Sequence, residues 1–260
     1  MKHRLAFAIV LFSTGNMLAQ EKTAAPLQYT ALHIKNAITI DGNLDEKEWA
    51  NAPWTTNFVD IEGNKKPLPL QQTRCKMLWN NQSLYIAAEL KETDLWATLT
   101  QRDTVIFHNN DFEVFIDPDG DTKNYYEIEI NALNAVWDLM LNKPYSKGGK
   151  PNNNWNARGM KTAVALHGTL NNPTDRDTSW IVEIAIPWKD FTYDQAPQMG
   201  STWRINFSRV QWQLDVINKK YNQRINPETG RPLPEYNWVW SPQGVINMHV
   251  PEQWGYLKFE

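Results

Sequence analysis

The sequence has a single cysteine, no excess of basic residues and no long hydrophobic segment. One cysteine among 260 residues excludes a disulfide framework and the cysteine-rich zinc motifs. A formal net charge of −3 argues against a nucleic-acid-binding surface, which requires a basic patch. Hydrophobic residues make up 42% of the chain and charged residues 21%, so the composition excludes an intrinsically disordered protein.

Motifs of several enzyme classes are also missing. The chain has no His-Glu-x-x-His zinc motif, no Gly-x-Ser-x-Gly nucleophile elbow and no phosphate-binding glycine loop. A glycosidase needs only two carboxylates, and Glu113 with Glu129 could form that pair, although nothing in their spacing singles them out. We therefore expect a protein that is not an enzyme, with a weak O-glycosyl hydrolase as one alternative.

The N-terminal residues have the composition of a secretory signal peptide. A basic start precedes an apolar run over 5–12, and small and polar residues follow up to Gln20. The run is shorter than the roughly 20 apolar residues of a membrane span, and no cysteine lies near the cleavage point for a lipid anchor. We predict a signal peptide over 1–20, a single domain over 21–260, and a secreted or periplasmic location without a membrane span.

Most ordered segments alternate apolar and polar residues with the period of two that is typical of β-strands. The pattern predicts strands over 37–40, 73–79, 83–90, 112–116, 125–130, 136–141, 161–166, 180–186, 203–210, 236–240 and 255–259. Helical patterning is confined to 45–50 and a single turn at 188–191. We therefore predict an all-β fold, an antiparallel β-sandwich of jelly-roll type with one or two short helices. The polar segments 142–157 and 218–235 are predicted to be two prominent, functional or mobile loops.

The densest polar segment predicts a cluster of acids on one face of a β-hairpin. Along its first strand, Glu113 lies on the face opposite to Phe112. Along its second strand, Glu127, Glu129 and Asn131 share one face. If the strands pair, carboxylates and an amide collect on a single sheet surface. A solvated outer face would produce the same pattern, and that alternative stays open at this point.

Tryptophan is the outlier of the composition, with 13 residues against 9 Tyr and 9 Phe. Trp96, Phe107 and Trp137 lie near the acidic hairpin in the sequence. The apolar faces of sugar rings stack on such side chains, while sugar hydroxyls need carboxylate, amide or guanidinium partners. Arg209 is the candidate guanidinium donor; alternatively it forms an ion pair with Glu113 or Glu129 under the sheet. The acidic face therefore predicts a carbohydrate-binding surface.

The turn between the two hairpin strands has acidic side chains at every second position. Asp117, Asp119 and Asp121 have a spacing that Ca²⁺ accepts through oxygen ligands. The glycine is not where an EF-hand loop places it, and no glutamate occupies the twelfth position. A plain acidic hairpin turn is the other interpretation. Calcium bound by these aspartates is the only cofactor that we predict.

Five segments along nearly the whole mature chain form a recognisable series: Ile-Asp-Gly-Asn-Leu-Asp-Glu-Lys-Glu-Trp over 40–49, the segments 84–87 and 111–117, Trp-Ile-Val-Glu-Ile-Ala-Ile-Pro-Trp over 180–188, and the segment 254–259. In these segments and in their order, the chain resembles the family 9 carbohydrate-binding modules. The resemblance implies a β-sandwich of the wider DOMON-like group, the binding of sugars or of cellulose or xylan ends, and structural calcium. It also implies a role beside polysaccharide-degrading enzymes.

The binding residues of the best-known family members carry over only in part. Those modules hold a terminal sugar between two tryptophans. The first position is Phe107 here, six residues before the retained Glu113, and the loop of the second position contains Met248 and His249 but no tryptophan. The arginine of the family's next strand corresponds to Glu129. Because tryptophan is abundant near the acidic face, we instead predict a shifted saccharide site, which uses Trp96, Trp137, Trp212 or Trp240.

The alternative from another functional class is a haem-binding redox module of the same sandwich superfamily. It would need Met and His ligands, and Met248 and His249 are adjacent, so on a strand they would point to opposite faces. We therefore expect non-covalent binding of xylan- or cellulose-type oligo- or polysaccharides in support of polysaccharide catabolism. Polysaccharide-degrading enzymes are the expected protein partners.

Overall fold

The computed structural model describes residues 25–191 and 195–260, so the signal peptide predicted over 1–20 lies outside the described residues. The strands are β1 (Gln28–His33), β2 (Val59–Asp60), β3 (Thr73–Trp79), β4 (Ser83–Lys91), β5 (Asp111–Asp117), β6 (Tyr125–Asn131), β7 (Val136–Leu141), β8 (Pro151–Asn152), β9 (Lys161–His167), β10 (Ser179–Pro187), β11 (Thr202–Gln211), β12 (Leu214–Ile217), β13 (Lys220–Gln223), β14 (Tyr236–Val239) and β15 (Gly255–Phe259). The described α-helix is α1 (Lys47–Asn51), and short 3₁₀ turns lie at Gly63–Lys65, Ile106–His108, Tyr145–Lys147, Trp188–Asp190 and Pro251–Gln253. The predicted all-β class with little helix is confirmed.

Ten of the eleven predicted strands are present, each within one residue of its predicted bounds. The prediction for 37–40 is wrong. Ile38 is buried in this segment, but its neighbour Thr39 donates its N–H to the Glu46 side chain at 3.2 Å and to no neighbouring strand. The apolar alternation there comes from packing on a sheet face, and the first strand is instead β1, which the pattern missed.

The strands form two layers. The first sheet has the order β8-β7-β6-β5-β11-β15, with β14 beside β11 and β2 beside β14, and the second sheet has the order β3-β4-β10-β9. β1 joins the layers, because it pairs with β15 through residues 28–31 and with β3 through residues 32–33. Both pairings are parallel, so the predicted antiparallel sandwich is corrected at this strand; the other ladders of the described chain are antiparallel.

The main core lies between the inner faces of the two sheets. It contains alternate residues of the longer strands, including Phe112 and Val114 of β5 and Ile184 of β10. Three tryptophans, Trp79, Trp188 and Trp203, meet the ring of Phe259 edge-on with centroids 5.2–6.0 Å apart. Aromatic side chains of this group stabilise the sandwich and are not available to a ligand.

The outer faces of both sheets are also partly covered by chain. On the second sheet, α1 places Trp49 against Leu78 and Tyr85. On the first sheet, the loop before β15 places Met248 and Trp254 in a smaller cluster beside β5, β6 and β7. Asp111, Glu113, Glu127 and Glu129 lie on the same face of β5 and β6 and are also buried. No helix within 25–191 and 195–260 is long and apolar enough to cross a membrane.

Candidate functional site

Four carboxylates lie on the outer face of the first sheet, and we call them the sheet-face acids: Asp111, Glu113, Glu127 and Glu129. The β5–β6 ladder pairs Glu113 with Glu129, as the alternation predicts. Glu113 is 5% exposed, and the side chains of Asp111 and Glu129 are almost completely buried. The interpretation of this surface as a solvated outer face is therefore wrong, because the covering loops remove it from water.

Burial changes the protonation of these acids. It raises the pKa of Glu113 to about 7, an effect that the nearby Ser208 hydroxyl partly offsets. The pKa of Glu129 is raised well above its usual value by burial and by the charges of the neighbouring acids. Burial and the charge of Glu113 act on the pKa of Glu127 in the same direction. Four ionised carboxylates are therefore unfavourable on this face unless some of them are protonated or a positive charge lies beside them.

Aromatic side chains border the sheet-face acids. The backbone N–H of Phe107 donates to Glu129 Oε2 at 3.0 Å, and the indole N–H of Trp212 donates to the Phe107 carbonyl at 2.8 Å. Trp137 faces Glu129 across the β6–β7 ladder. Phe107, Trp137 and Trp212 are each partly exposed. Together with Glu113 and Glu129, they are the five predicted binding residues that the structure brings to one side of the sheet.

A further aromatic residue next to the acids, Tyr145, was missed by the sequence reasoning. It is 43% exposed, and its ring lies 4.6 Å from that of His249, whose Nε2 is 4.0 Å from Glu127. Burial, together with the charges of Glu127 and Glu129, raises the pKa of Tyr145 to about 12. The available signal was the polar loop 142–157, which contains Tyr145, although nothing in it singled out this residue.

Arg209 lies on the other side of the sheet from the acids. It pairs with Phe112 in the β5–β11 ladder, so its side chain points to the inner face, where its guanidinium forms an ion pair with Glu92 at 2.9 Å. It contacts neither Glu113 nor Glu129 in the part of the chain described. The alternation of β11 already indicated this, since Phe207 and Arg209 are two residues apart on one strand and therefore point to the same face, and Phe207 lies in the core.

Three other predicted binding residues are buried in structural roles. Trp96 is 7% exposed, and Trp240 packs in the main core with its ring 6.0 Å from that of Phe207. Asn131 donates to the Leu99 carbonyl at 2.8 Å and accepts the N–H of Ala135 at 3.0 Å, which holds the β6–β7 turn. None of these three side chains reaches the surface beside the acids.

The three turn aspartates come together as predicted, with one oxygen of each within 4.8 Å of the others. Asp117 is buried, and its two oxygens accept the N–H groups of Gly120 and Thr122 at 3.0 and 2.9 Å. Burial raises the pKa of Asp117 to about 6 in spite of these donors. Since backbone amides already satisfy Asp117, the geometry fits a hairpin turn, and calcium at this turn stays a prediction.

A depression of about 400 Å³ adjoins Trp212. Its lining includes Gln211, Tyr221, Arg224 and Tyr236, which combine ring faces with amide and guanidinium groups. This is the mixture of groups that an extended sugar chain requires.

Comparison with known proteins finds one family and several relatives. A family model described as "Carbohydrate family 9 binding domain-like" matches residues 40–211. Over 167 residues, 64% of the chain, the sequence is 28% identical to endo-1,4-beta-xylanase A of Thermoanaerobacterium saccharolyticum and 27% identical to exoglucanase XynX of Acetivibrio thermocellus. The matched region is 12% and 13% of those proteins, so the chain matches about an eighth of their length.

Solved structures share the fold. A putative carbohydrate-binding protein from Bacteroides uniformis superposes with a TM-score of 0.65 at 16% identity, covering 91% of this chain and all of the other. A family 9 carbohydrate-binding module from Caldicellulosiruptor kristjanssonii, in complex with cellotriose, has a TM-score of 0.56 at 14% identity and covers 90% of this chain and 93% of its own. The predicted sandwich architecture is confirmed by these likenesses.

Proposed function

The chain belongs to the carbohydrate family 9 binding domain-like family, and from this premise we propose that it binds an oligosaccharide, or a polysaccharide end, on the outer face of its first sheet. The observation that carries the proposal is the combination of acids and partly exposed rings on that face. Trp137 and Phe107 flank Glu129, and Trp212 continues the aromatic border. A sugar ring stacked on an indole can direct its hydroxyls to neighbouring acceptors.

The proposed site differs from a sugar slot between two tryptophans. Phe107 replaces one of the rings, and the loop that would supply the second instead places Met248 in a buried cluster and His249 beside Glu127. The exposed phenol of Tyr145 lies on that side of the acids. We propose that Trp137 and Tyr145 contact the first sugar and that the depression beyond Trp212 receives further residues of the glycan.

The relatives support a ligand class. The structural neighbour from Caldicellulosiruptor kristjanssonii is described in complexes with cellotriose and with glucose, and the sequence relatives are a xylanase and an exoglucanase. We propose cellulose- or xylan-type oligosaccharides as ligands. We further propose that the protein is exported by its signal peptide and acts near polysaccharide-degrading enzymes.

The proposed activity is binding without catalysis. If Glu113 and Glu129 instead form a glycosidase pair, the protein would release the chromogenic aglycone of an aryl glycoside, and Glu113→Gln would abolish that release. We expect no turnover by either form.

Isothermal titration of the protein with cello- and xylo-oligosaccharides tests the proposed site. We expect Trp137→Ala to weaken binding at least about tenfold, equivalent to about 1.4 kcal/mol, because it removes a stacking ring. The matched control is Trp54→Ala, another partly exposed tryptophan, which lies under Arg74 and Lys76 of the second sheet. Equal affinities of the wild type and Trp137→Ala for every bound glycan would place the site elsewhere.

A further inference from the structure

Three of the sheet-face acids form a compact oxygen cluster. One carboxylate oxygen each of Asp111, Glu113 and Glu129 lies within 4.8 Å of the other two. Calcium binds oxygen at about 2.3–2.6 Å, so two ligands of one ion lie at most about 5 Å apart. The three carboxylates are therefore already spaced to surround one cation.

Asp111 is the group that lacks a partner. It is 0% exposed, and neither of its carboxylate oxygens accepts a hydrogen bond from the described residues. The nearby N–H of Val210 lowers the pKa of Asp111 less than burial and Glu113 raise it. A buried polar group without a partner costs free energy, and an unpaired buried charge costs more. Asp111 is therefore not explained by the protein contacts alone.

No protein cation compensates these acids within the described ranges. No Lys or Arg there forms an ion pair with Asp111, Glu113 or Glu129, and Arg209 is committed to Glu92 on the opposite face. His249 lies near Glu127, but burial lowers its pKa to about 4, so it is neutral at pH 7. The partly buried Glu235 adds negative potential at Asp111 and Glu113.

We propose that Asp111, Glu113 and Glu129 bind a hard divalent cation, with calcium as the best fit, beneath the saccharide-binding surface. Oxygen-only ligands select calcium or magnesium over softer metals. Three carboxylates supply three to six of the roughly six to eight oxygens that calcium takes. Water completes the shell; where the proposed function holds, hydroxyls of a bound sugar replace some of that water.

Calcium titration of the chelator-treated protein, with calcium chloride as the only ligand, tests the site. We expect Asp111→Asn to weaken one calcium-binding event at least about tenfold, since affinity follows the number of charged ligands. Asp45→Asn, at an exposed aspartate just before α1 and outside both acidic groups, is the matched control and leaves that event unchanged. A parallel titration with magnesium chloride is expected to give weaker binding.

Thermal unfolding shows whether a variant that does not bind calcium is still folded. In EDTA, Asp111→Asn is expected to unfold at the same temperature as the wild type or higher, because it removes a buried acid without a partner. Calcium then raises the midpoint of the wild type and of Asp45→Asn but not that of Asp111→Asn. Retained calcium binding by Asp111→Asn, or no calcium or magnesium binding by the wild type, would overturn the inference.

Saccharide titrations in calcium and in EDTA separate this inference from the proposed function. Saccharide binding by a protein that binds no cation would refute the cation site and leave the proposed function intact. Cation binding that is lost in Asp111→Asn, without any saccharide binding, would support the cation site and refute the proposed function.

Discussion

The outer faces of the two sheets each bury carboxylates, but the two faces treat them differently. On the second sheet, Glu183 is fully buried and accepts three hydrogen bonds, from Trp49 Nε1 at 2.9 Å and from the N–H groups of Asp41 and Gly42 at 3.0 Å. On the first sheet, Asp111 is equally buried and accepts no hydrogen bond from the described residues. Glu183 connects a loop and a helix to the sheet through these bonds. Asp111 makes no such connection to the described part of the chain.

The local sequence explains why Glu183 is satisfied. Gly42 has a φ of +88°, a left-handed conformation that favours glycine, and an added Cβ would lie 2.9 Å from the Ala165 backbone nitrogen. This turn directs two successive N–H groups at one carboxylate oxygen. A buried acid with built-in donors is part of the fold, while a buried acid without them indicates a bound partner or a proton.

The largest expected effect is the loss of Glu183. Glu183→Leu would leave three donors without an acceptor, so we expect the free energy of unfolding in urea to fall by about 3–5 kcal/mol. Glu89→Leu is the control, because Glu89 lies on the same face but pairs with Arg74 and Lys91 near the surface. It is expected to cost less than about 1 kcal/mol. If both variants lose the same free energy of unfolding, the hydrogen bonds to Glu183 do not stabilise the fold as inferred, and the contrast with Asp111 disappears.

The next effect concerns His249, the imidazole beside Glu127. Burial lowers its pKa from 6.5 to about 4. A base with a lowered folded-state pKa stabilises the fold above its unfolded pKa, and this stability is lost as the pH falls. Between pH 6.5 and 4 we expect the wild type to lose about 3 kcal/mol relative to His249→Gln. The groups that face the ring are Phe115, Tyr125, Glu127 and Tyr145.

The direct measurement is the imidazole titration by nuclear magnetic resonance. A pKa below 5 would confirm that His249 brings no positive charge to the acidic face at neutral pH. A pKa above 6.5 would show an ion pair with Glu127, and the first sheet would then have its own cation.

A smaller effect is expected for Tyr145 in saccharide binding. Tyr145→Ala should weaken binding about tenfold by removing an exposed ring next to the acids, equivalent to about 1.4 kcal/mol. Tyr145→Phe keeps the ring and should retain most of the affinity in calorimetric titration. If Tyr145→Phe loses as much as Tyr145→Ala, the hydroxyl and not the ring makes the contact.

The smallest effect is expected in the acidic turn. Asp121 is exposed and lies 3.6 Å from Lys123. Asp121→Ala should change the free energy of unfolding by less than about 0.5 kcal/mol, with or without calcium. A calcium-dependent difference, measured by urea unfolding, would show that the turn binds calcium. The turn aspartates and the sheet-face acids would then both be cation sites.

The alternation of apolar residues predicted most strands because each strand has one face in the core and needs no distant information. The same rule placed Glu113 and Glu129 together on one face. It failed at 37–40, where alternation reflects packing on the second sheet, and it missed β1, whose parallel pairing depends on two strands far away in the chain.

The predicted binding residues could not be sorted by the sequence because exposure is decided by the covering segments. Trp137 and Trp240 both adjoin polar segments, yet one borders the acids and the other packs in the core. Arg209 forms its ion pair with Glu92, which lies 117 residues earlier in the chain. Tyr145 reaches the acids through a loop whose path no local pattern specifies.

The sequence by itself determined the sandwich and the side of the hairpin on which its acids lie, because side-chain alternation is a property of the extended backbone. Only the tertiary structure decided that those acids are buried and that Arg209 is out of their reach. It also decided that Asp111 accepts no hydrogen bond from the described residues, while Glu183 accepts three. The physical reason is that burial and hydrogen-bond partnership depend on segments that meet through folding, and no local pattern specifies where they meet.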